Sequence, residues 1–599
     1  MKNRIVLLIL LGTLSLTGRA AVTPESVLPA NTFAVLTVPD MNSVRAAIKA
    51  APMSRLWNDP AMGEFSAKFE DALDANVFEP LLLFADFDPK EYTSLFQGQL
   101  TFALTRNAGE EIPGLVFLMD SGKAKADALT EKLGTLHELL LENELLNDKV
   151  KIGGVEFIHI ASPDPGGPIE GLYLGQSDSL LIGASTKELA AQIVALHKMK
   201  AKKSLATNEG FANRHQAQFK GALGYAWLDF TVVMEIAEEQ IEKNADPENK
   251  PGPLEPTPDK VLNALGLKGL RSISFSVHQD KNGESVQMYL DVPKAGRRGL
   301  FAMIAAPNKD AGPPAFVGAD VAGFARWRQD GAQLWKLFDG IANEISPLAA
   351  GIIGGAETAV RAKQPDFKLK ENLIDILGDD IIVIEQGPKG NNLEDLLTPG
   401  SLYLFKSLKP AVANKSIRQI VASLTEDEPE KREIGGRAVY SWFIEAGFNE
   451  QAIHLSTTDE YLVVSLDEKV LEKFLMGPKK NAKKLADLPG LKAAATKVGG
   501  FNSGAFAYEN QKPIARVLFN SIKENPGFLN DLIGQLPFGD FDPADPAEGP
   551  NIDEWLDFKL LPDFKKISKY FHFTVSGVKA TKQGISFRIY APTPPALKE

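Results

Sequence analysis

Seven histidines, at positions 137, 159, 197, 215, 278, 454 and 572, come first, because a metal centre or a general base most often needs one. No two of them stand four apart, the spacing that sets two ligands on one helix face. His137-Glu138 begins like a zinc-protease helix, but position 141 is leucine where the second histidine must be. Ser576-Gly577-Val578-Lys579 has a serine–lysine spacing, yet it lies where a strand turns, and that chemistry needs the lysine one helical turn away. Phe501-Asn502 before Ser503-Gly504 breaks the nucleophile-elbow pattern. Gly351-Ile352-Ile353-Gly354-Gly355 lacks both the lysine and the preceding strand of a phosphate loop. Asp540, Asp542 and Asp545 could offer oxygens to calcium, but Ala544 and a missing glycine break the EF-hand order, so an acidic solvated loop is the plainer reading. No catalytic, cofactor-binding or metal-binding residue is assigned, and the expectation is a chain that is not an enzyme.

Composition narrows the field further. The absence of cysteine removes disulfides, thiolate nucleophiles, thiolate zinc sites and the acylated cysteine of a lipoprotein. A net charge of −12 argues against nucleic acid, which needs concentrated Lys and Arg facing phosphates. At the start, Lys2 and Arg4, the apolar run Ile5 to Leu16 and the small residues Gly18-Arg19-Ala20 read as a secretory signal, residues 1–20, cleaved after Ala20. That run falls short of the roughly 20 apolar residues that span a bilayer, as do Leu300 to Ala306 and Leu348 to Ile353. A mature chain without a transmembrane segment, periplasmic or secreted, is expected.

The elements that would position any site are written twice. Asp86, Phe87, Lys90, Glu91 and Gly98 recur 280 residues on as Asp366, Phe367, Lys370, Glu371 and Gly378. Ile152-Gly153-Gly154 returns as Ile434-Gly435-Gly436, and Leu205-Ala206, Gly210 and Gly224 as Leu485-Ala486, Gly490 and Gly504. The expected organisation is a first repeat over 21–307, a polar linker over 308–313 and a second repeat over 314–599. Asp88-Pro89-Lys90-Glu91 reads as a capping box at a helix start, with Gly98 as a left-handed stop and Asp366 as the cap in the second repeat. Proline-rich Asn244 to Pro258 and the stretch Phe538 to Pro550 read as surface loops.

In the first repeat, Thr32 to Val38 is a strand and Ser43 to Leu73 is helical sequence. Leu100 to Thr105 and Leu115 to Met119 are strands, matched by Ile381 to Glu385 and Leu402 to Phe405. Leu129, Leu133, Leu136 and Leu140 share one face of a helix over Lys123 to Leu146. Gly153-Gly154 between alternating apolar runs signals a hairpin. Hairpins around Asn282-Gly283 and Gln583-Gly584 close the two repeats. The fold class is therefore α+β: two homologous halves, each a mainly antiparallel sheet with helices packed on it. Thirty-four phenylalanines against six tryptophans suit an apolar interior better than a sugar-stacking platform. The partner is expected to be an unknown protein, met through an exposed apolar patch, or an apolar ligand in a cavity lined by Phe102, Phe117 and Phe157. A hydrolase with a site in one half is the further alternative.

Leu28-Pro29-Ala30-Asn31-Thr32-Phe33-Ala34-Val35-Leu36-Thr37-Val38-Pro39-Asp40, Arg55-Leu56-Trp57-Asn58-Asp59-Pro60, Gly154 to Ile158, Ser179 to Gly183 and Ser204-Leu205-Ala206 follow one another in a familiar order. In these phrases the chain resembles an exported bacterial family known as domain of unknown function thirty-three fifty-two. The resemblance covers most of the first repeat and is fainter in the second, at Ala319-Asp320-Val321 and Leu334-Trp335. It implies export and the α+β fold, and it brings no activity or catalytic residues. N-terminal sequencing of the protein from its native compartment is expected to start at Ala21; a soluble cytosolic pool beginning at Met1 would contradict the reading.

Overall fold

Glycine pairs set the tight hairpins. Gly153 and Gly154 have φ of +57° and +83°, and Gly435 and Gly436 +57° and +75°, which side chains bearing a Cβ rarely adopt. The computed structural model describes residues 23–79, 89–107, 112–142, 149–162, 171–212, 216–243, 255–390, 399–424, 428–446, 449–478, 481–525 and 556–598. The fold is α+β. The chain divides into two compact units: residues up to Arg45 with Pro89–Asp229, and Ala46–Asp88 with Phe230–Glu599.

In the first unit the strands are β1 (Thr32–Val38), β2 (Leu100–Thr105), β3 (Gly114–Asp120), β4 (Lys149–Ile152), β5 (Val155–Ala161), β6 (Gly171–Ser177), β7 (Leu180–Ala184) and β8 (Gly224–Asp229). They pair antiparallel throughout, in the spatial order β4-β5-β6-β7-β3-β2-β1-β8. Helices α1 (Pro24–Val27), α2 (Ala126–Glu142) and α3 (Lys187–His197) accompany them. Alternation sends Val35, Ala103, Val116, Leu118 and Ile182 to a common core with Leu28, Leu189, Ile193, Phe211 and Trp227. A smaller cluster joins Leu129 of α2 to Met119 and Leu95.

The second unit holds β9 (Ser272–Asp280), β10 (Gly283–Asp291), β11 (Lys309–Asp310), β12 (Gly323–Trp327), β13 (Leu377–Glu385), β14 (Ser401–Ser407), β15 (Glu430–Ile434), β16 (Arg437–Ala446), β17 (Asn449–Thr457), β18 (Tyr461–Ser465), β19 (Asn502–Ser503), β20 (Ala505–Asn510), β21 (Phe573–Ala580) and β22 (Ile585–Pro592). Its main sheet runs β15-β16-β17-β18-β14-β13-β12-β20-β21-β22-β10-β9, again antiparallel. From β15 to β20 this order repeats that of the first unit, strand for strand.

The terminal hairpins meet edge to edge, with Gly283 opposite Pro592 and Leu290 opposite Ile585. The contact is reciprocal. A Cβ on Gly283 would lie 2.3 Å from the Ala591 carbonyl oxygen and 2.9 Å from the Tyr590 ring. One on Gly584 would lie 2.3 Å from the Leu290 oxygen and 2.5 Å from the Tyr289 ring. Each hairpin glycine makes room for the other hairpin's tyrosine. Tyr590 also donates its hydroxyl to the Asn282 carbonyl at 2.9 Å.

Several expectations need correcting. Compact units do not divide at 308–313. Within 308–313, exposed Lys309-Asp310 pairs with Asn502-Ser503, and Ala311 is fully buried. Leu56, Met62 and Phe65 share a core with Phe558, Phe564, Ile567 and Leu597, across the expected repeat boundary. Helical sequence over 43–73 breaks into Met41–Ala50, Pro52–Trp57 and Gly63–Leu73, because prolines 52 and 60 start new turns. The long helix over 123–146 begins as a 3₁₀ turn at Lys123–Lys125, and 143–148 lie outside the described residues. Gly98 is not a left-handed stop; it is small because a Cβ would meet the Asp120 carboxylate at 2.5 Å, much as one on Gly378 would meet Lys406. No side chain caps the helix at Leu369, so Asp366 does not serve; instead the Lys368 N–H donates to Asn372 Oδ1. Asp86 to Asp88, residues 244–254 and the stretch 538–550 with Asp540, Asp542 and Asp545 lie outside the described residues.

One buried charge ties this sheet together. β13 takes four steps between Leu377 and Ile381 where β14 takes two, and Asp379 and Asp380 sit in that irregularity. Asp380, 1% exposed, receives both Nε and Nη2 of Arg326 at 2.8 and 2.7 Å and the Tyr461 hydroxyl at 2.9 Å. Arg328 Nη1 lies 2.9 Å from the same carboxylate, and Arg326 Nη1 donates to the Gly312 carbonyl. Burial and the Asp380 charge push the Tyr461 hydroxyl far up. Asp380→Ala would take the main acceptor from two part-buried guanidiniums, which keep Gly312, Asp310 and Asp379, and a loss of about 2–4 kcal/mol is expected in urea unfolding; a loss under about 1 kcal/mol would mean the cluster is well solvated.

Candidate ligand pocket

The described histidines do not converge. His159 stacks on Tyr173 at 4.4 Å, His197 lies 3.0 Å from the Ser177 hydroxyl, and His278 lies 3.1 Å from that of Ser276. Buried His454 shares a 2.8 Å hydrogen bond with Ser441. Burial, then Lys512 and Lys598, depress His572 to about 4. His137 lies in α2, and His215 is outside the described residues. Among the described residues no group of three His, Asp or Glu side chains could hold a metal. Ser576 and Lys579 share the extended strand β21, and Gly351 to Gly355 lie within the helix Pro347–Lys363.

Phe102, Phe117 and Phe157 do not line one cavity. Phe157 is fully buried in the first unit's core, whereas Phe102 is 51% exposed and packs against Phe117 at 5.1 Å between centroids. Cross-strand neighbours Leu36 and Phe102 instead form an exposed apolar strip with Leu115 on one sheet face.

A carboxylate pair lies on the second unit's sheet, where Glu385 and Glu509 both stand opposite Gly323. Burial and the neighbouring Glu509 raise the Glu385 carboxyl above its usual range. The cleft there, floored by Ala325, Ala507 and Ser576, is about 280 Å³. That is below the usual range of ligand pockets, roughly 300–1,000 Å³.

The larger hollow forms around the helix that follows β18, α4 (Glu468–Leu475). Asp467 caps it by accepting from the Lys469 and Val470 N–H groups, and Gly477, at φ +77°, lies just past its end. Val470 and Phe474, one turn apart, therefore face the sheet together. With Val317, Val321, Ile384 and Leu402 they line a cavity of about 930 Å³. Phe316 closes one side, edge-on to Phe474 at 5.8 Å and to Tyr461 at 6.4 Å. At the mouth, Lys473 donates to Asp320 at 2.7 Å and to the Gln386 side-chain oxygen at 3.3 Å. In the first unit the helix that follows β7, α3, buries Leu189, Ala190, Ile193, Val194 and Leu196, and Val27 of α1 joins the same core. The same strand order thus carries α3 in one unit and the shorter α4, beside the hollow, in the other.

Sequence reasoning missed this pocket. A signal was present: Phe474-Leu475-Met476-Gly477-Pro478 ends its helix early, and Met476 is left 67% exposed.

Neither a family model nor a curated protein sequence matches the chain. Two crystal structures of TP0453, in forms I and III, resemble it over 46% of this chain and 81% of theirs, at 7% and 10% identity with TM-scores of 0.19 and 0.18. Likeness that distant carries no argument about function.

Asp320 is held below the usual carboxylate range by its hydrogen bond from Lys473. The contact is therefore complete above the ordinary value of 3.8 and is lost as pH falls through the lower folded value. A carboxyl titration by NMR should place Asp320 below 3.8, with Lys473→Met moving it upward.

Proposed function

We propose that this is an exported, non-catalytic envelope protein that binds an apolar ligand in the hollow beside α4. The observation that carries the reading is a cavity of about 930 Å³ whose floor is aliphatic and aromatic and whose polar groups are confined to the mouth. That volume suits a drug-sized or lipid-sized molecule, and an apolar floor with few polar groups is how such sites are built. Export rests on the amino-terminal sequence and on the family resemblance. No helix among the described residues is long and apolar enough to cross a membrane, which is compatible with that reading.

Duplication belongs to the same proposal. The recurrence at an offset of 280, the shared strand order and the reciprocal glycine–tyrosine contacts all support two copies of one ancestral unit. An interaction module is the second reading, favoured by the exposed strip at Leu36, Phe102 and Leu115.

The neutral fluorescent probe N-phenyl-1-naphthylamine separates the two. Ala482 is exposed and lines the hollow, so Ala482→Trp narrows it without disturbing the core. Probe fluorescence is expected to rise with the wild-type chain and to fall away in Ala482→Trp, with Phe102→Ser unaffected. Loss in Phe102→Ser alone would move the site to the first unit's sheet face.

A further inference from the structure

The mouth of the hollow has a charge that its floor does not suggest. Asp320 is the one carboxylate among the lining residues, against Lys473. Asn481 and Ala482 form part of the rim, and the backbone of Lys483 and Lys484, which follow them, is fastened to the opposite wall. Ala319 donates its N–H to the Lys483 carbonyl at 2.8 Å, Leu485 donates to Val317 at 2.9 Å, and Gly318 bridges Lys484. Lys483 and Lys484 are exposed, and no ion pair is found for either among the described residues. One ammonium and one carboxylate therefore line the rim, and two further lysines follow directly on Ala482, in a chain whose net charge is −12.

Lys473 is also easily released. Its partner Asp320 is 66% exposed and Lys473 itself 58%, so water screens their attraction and the pair contributes little. An incoming anion can take the ammonium from Asp320 at small cost. A cationic head would meet the lysines first and be repelled.

We propose that the ligand is an anionic amphiphile: an acyl chain fills the hollow among Val317, Ile384, Leu402 and Phe474, and its carboxylate or phosphate exchanges with Asp320 for Lys473. Lys483 and Lys484 raise the local concentration of the anion and hold its outer side. This inference rests on the apolar-ligand reading of the same hollow and adds the sign of the head group.

Twelve-carbon amphiphiles with different heads isolate that sign. Sodium laurate, monododecyl phosphate and dodecyltrimethylammonium, each below its micelle concentration, are titrated against the full chain loaded with N-phenyl-1-naphthylamine. Laurate and dodecyl phosphate are expected to displace the probe at concentrations at least about tenfold lower than dodecyltrimethylammonium, since a charge-assisted contact is strong and the opposite sign forfeits it. Lys473→Glu, with far-ultraviolet circular dichroism to check the fold, should shrink or reverse that ratio. Rescue by Lys473→Arg would mark charge rather than shape. Whether phosphate or carboxylate displaces more tightly separates a phospholipid-like source from a free fatty acid. Equal displacement by both signs would overturn the anionic head and leave the apolar pocket standing. Failure of all three to displace a bound probe would also overturn it. Failure of the probe to bind at all would instead remove the pocket reading on which it rests.

Discussion

The antiparallel pairing of β10 with β22 is the contact on which the second unit depends. Without it, the hairpin β9–β10 has no neighbour on its β10 side, and the sheet from β15 to β22 ends in an open edge. Unpaired edges are prone to pairing with other chains, so joining two hairpins in this way removes a liability as well as adding hydrogen bonds. Side chains confirm that the joint is built rather than incidental. Leu290, Val292, Phe301 and Ile585 form their own buried cluster across it. Burial of a large aliphatic or aromatic side chain stabilises by about 1.5–3 kcal/mol, so this cluster outweighs any exposed ion pair in the unit.

Much of the scaffold was legible because it follows local rules. β1 and β2 were read to the residue from alternation, and the Gly153-Gly154 turn from the need for positive φ at both positions. Breaks at Pro52 and Pro60 were equally legible in principle, since proline begins helices more readily than it continues them. What local rules do not contain is partnership. Nothing near Leu56 or Phe65 indicates that their core lies with Phe558 and Leu597, some 500 positions later, as the 542-residue separation of the Arg55–Leu597 hydrogen bond illustrates. The sequence duplication suggested two independent halves; packing instead gave elements from before residue 308 to the unit that holds the chain's last strand.

The pocket was hidden for a related reason. A hollow is an absence of atoms, and its residues look like core residues wherever they are read singly. Val317, Val321, Ile384 and Leu402 are apolar strand or strand-flanking positions indistinguishable from Leu28, Ala103 and Val116 in the first unit. The covering helices differ: α3 brings five buried residues to its sheet, α4 two. Asp380 shows the opposite case. As one of two adjacent aspartates before a strand it reads as a surface turn, and only the bulge in β13 directs it inward to Arg326 and Arg328.

The place of β22 in the chain has a consequence for when this protein can fold. Residues 585–592 come far after β9–β10 in the chain, yet their strand lies inside the sheet, between β21 and β10. Tyr590 and Asn282, which touch across the joint, are 308 residues apart. Closing so long a loop is entropically costly before any contact rewards it, and folds dominated by such contacts form slowly. A growing chain therefore carries β9–β10 as a waiting edge until β22 emerges, and only then is this part of the second unit's sheet completed. A sheet edge that must wait for so distant a partner is a built-in delay.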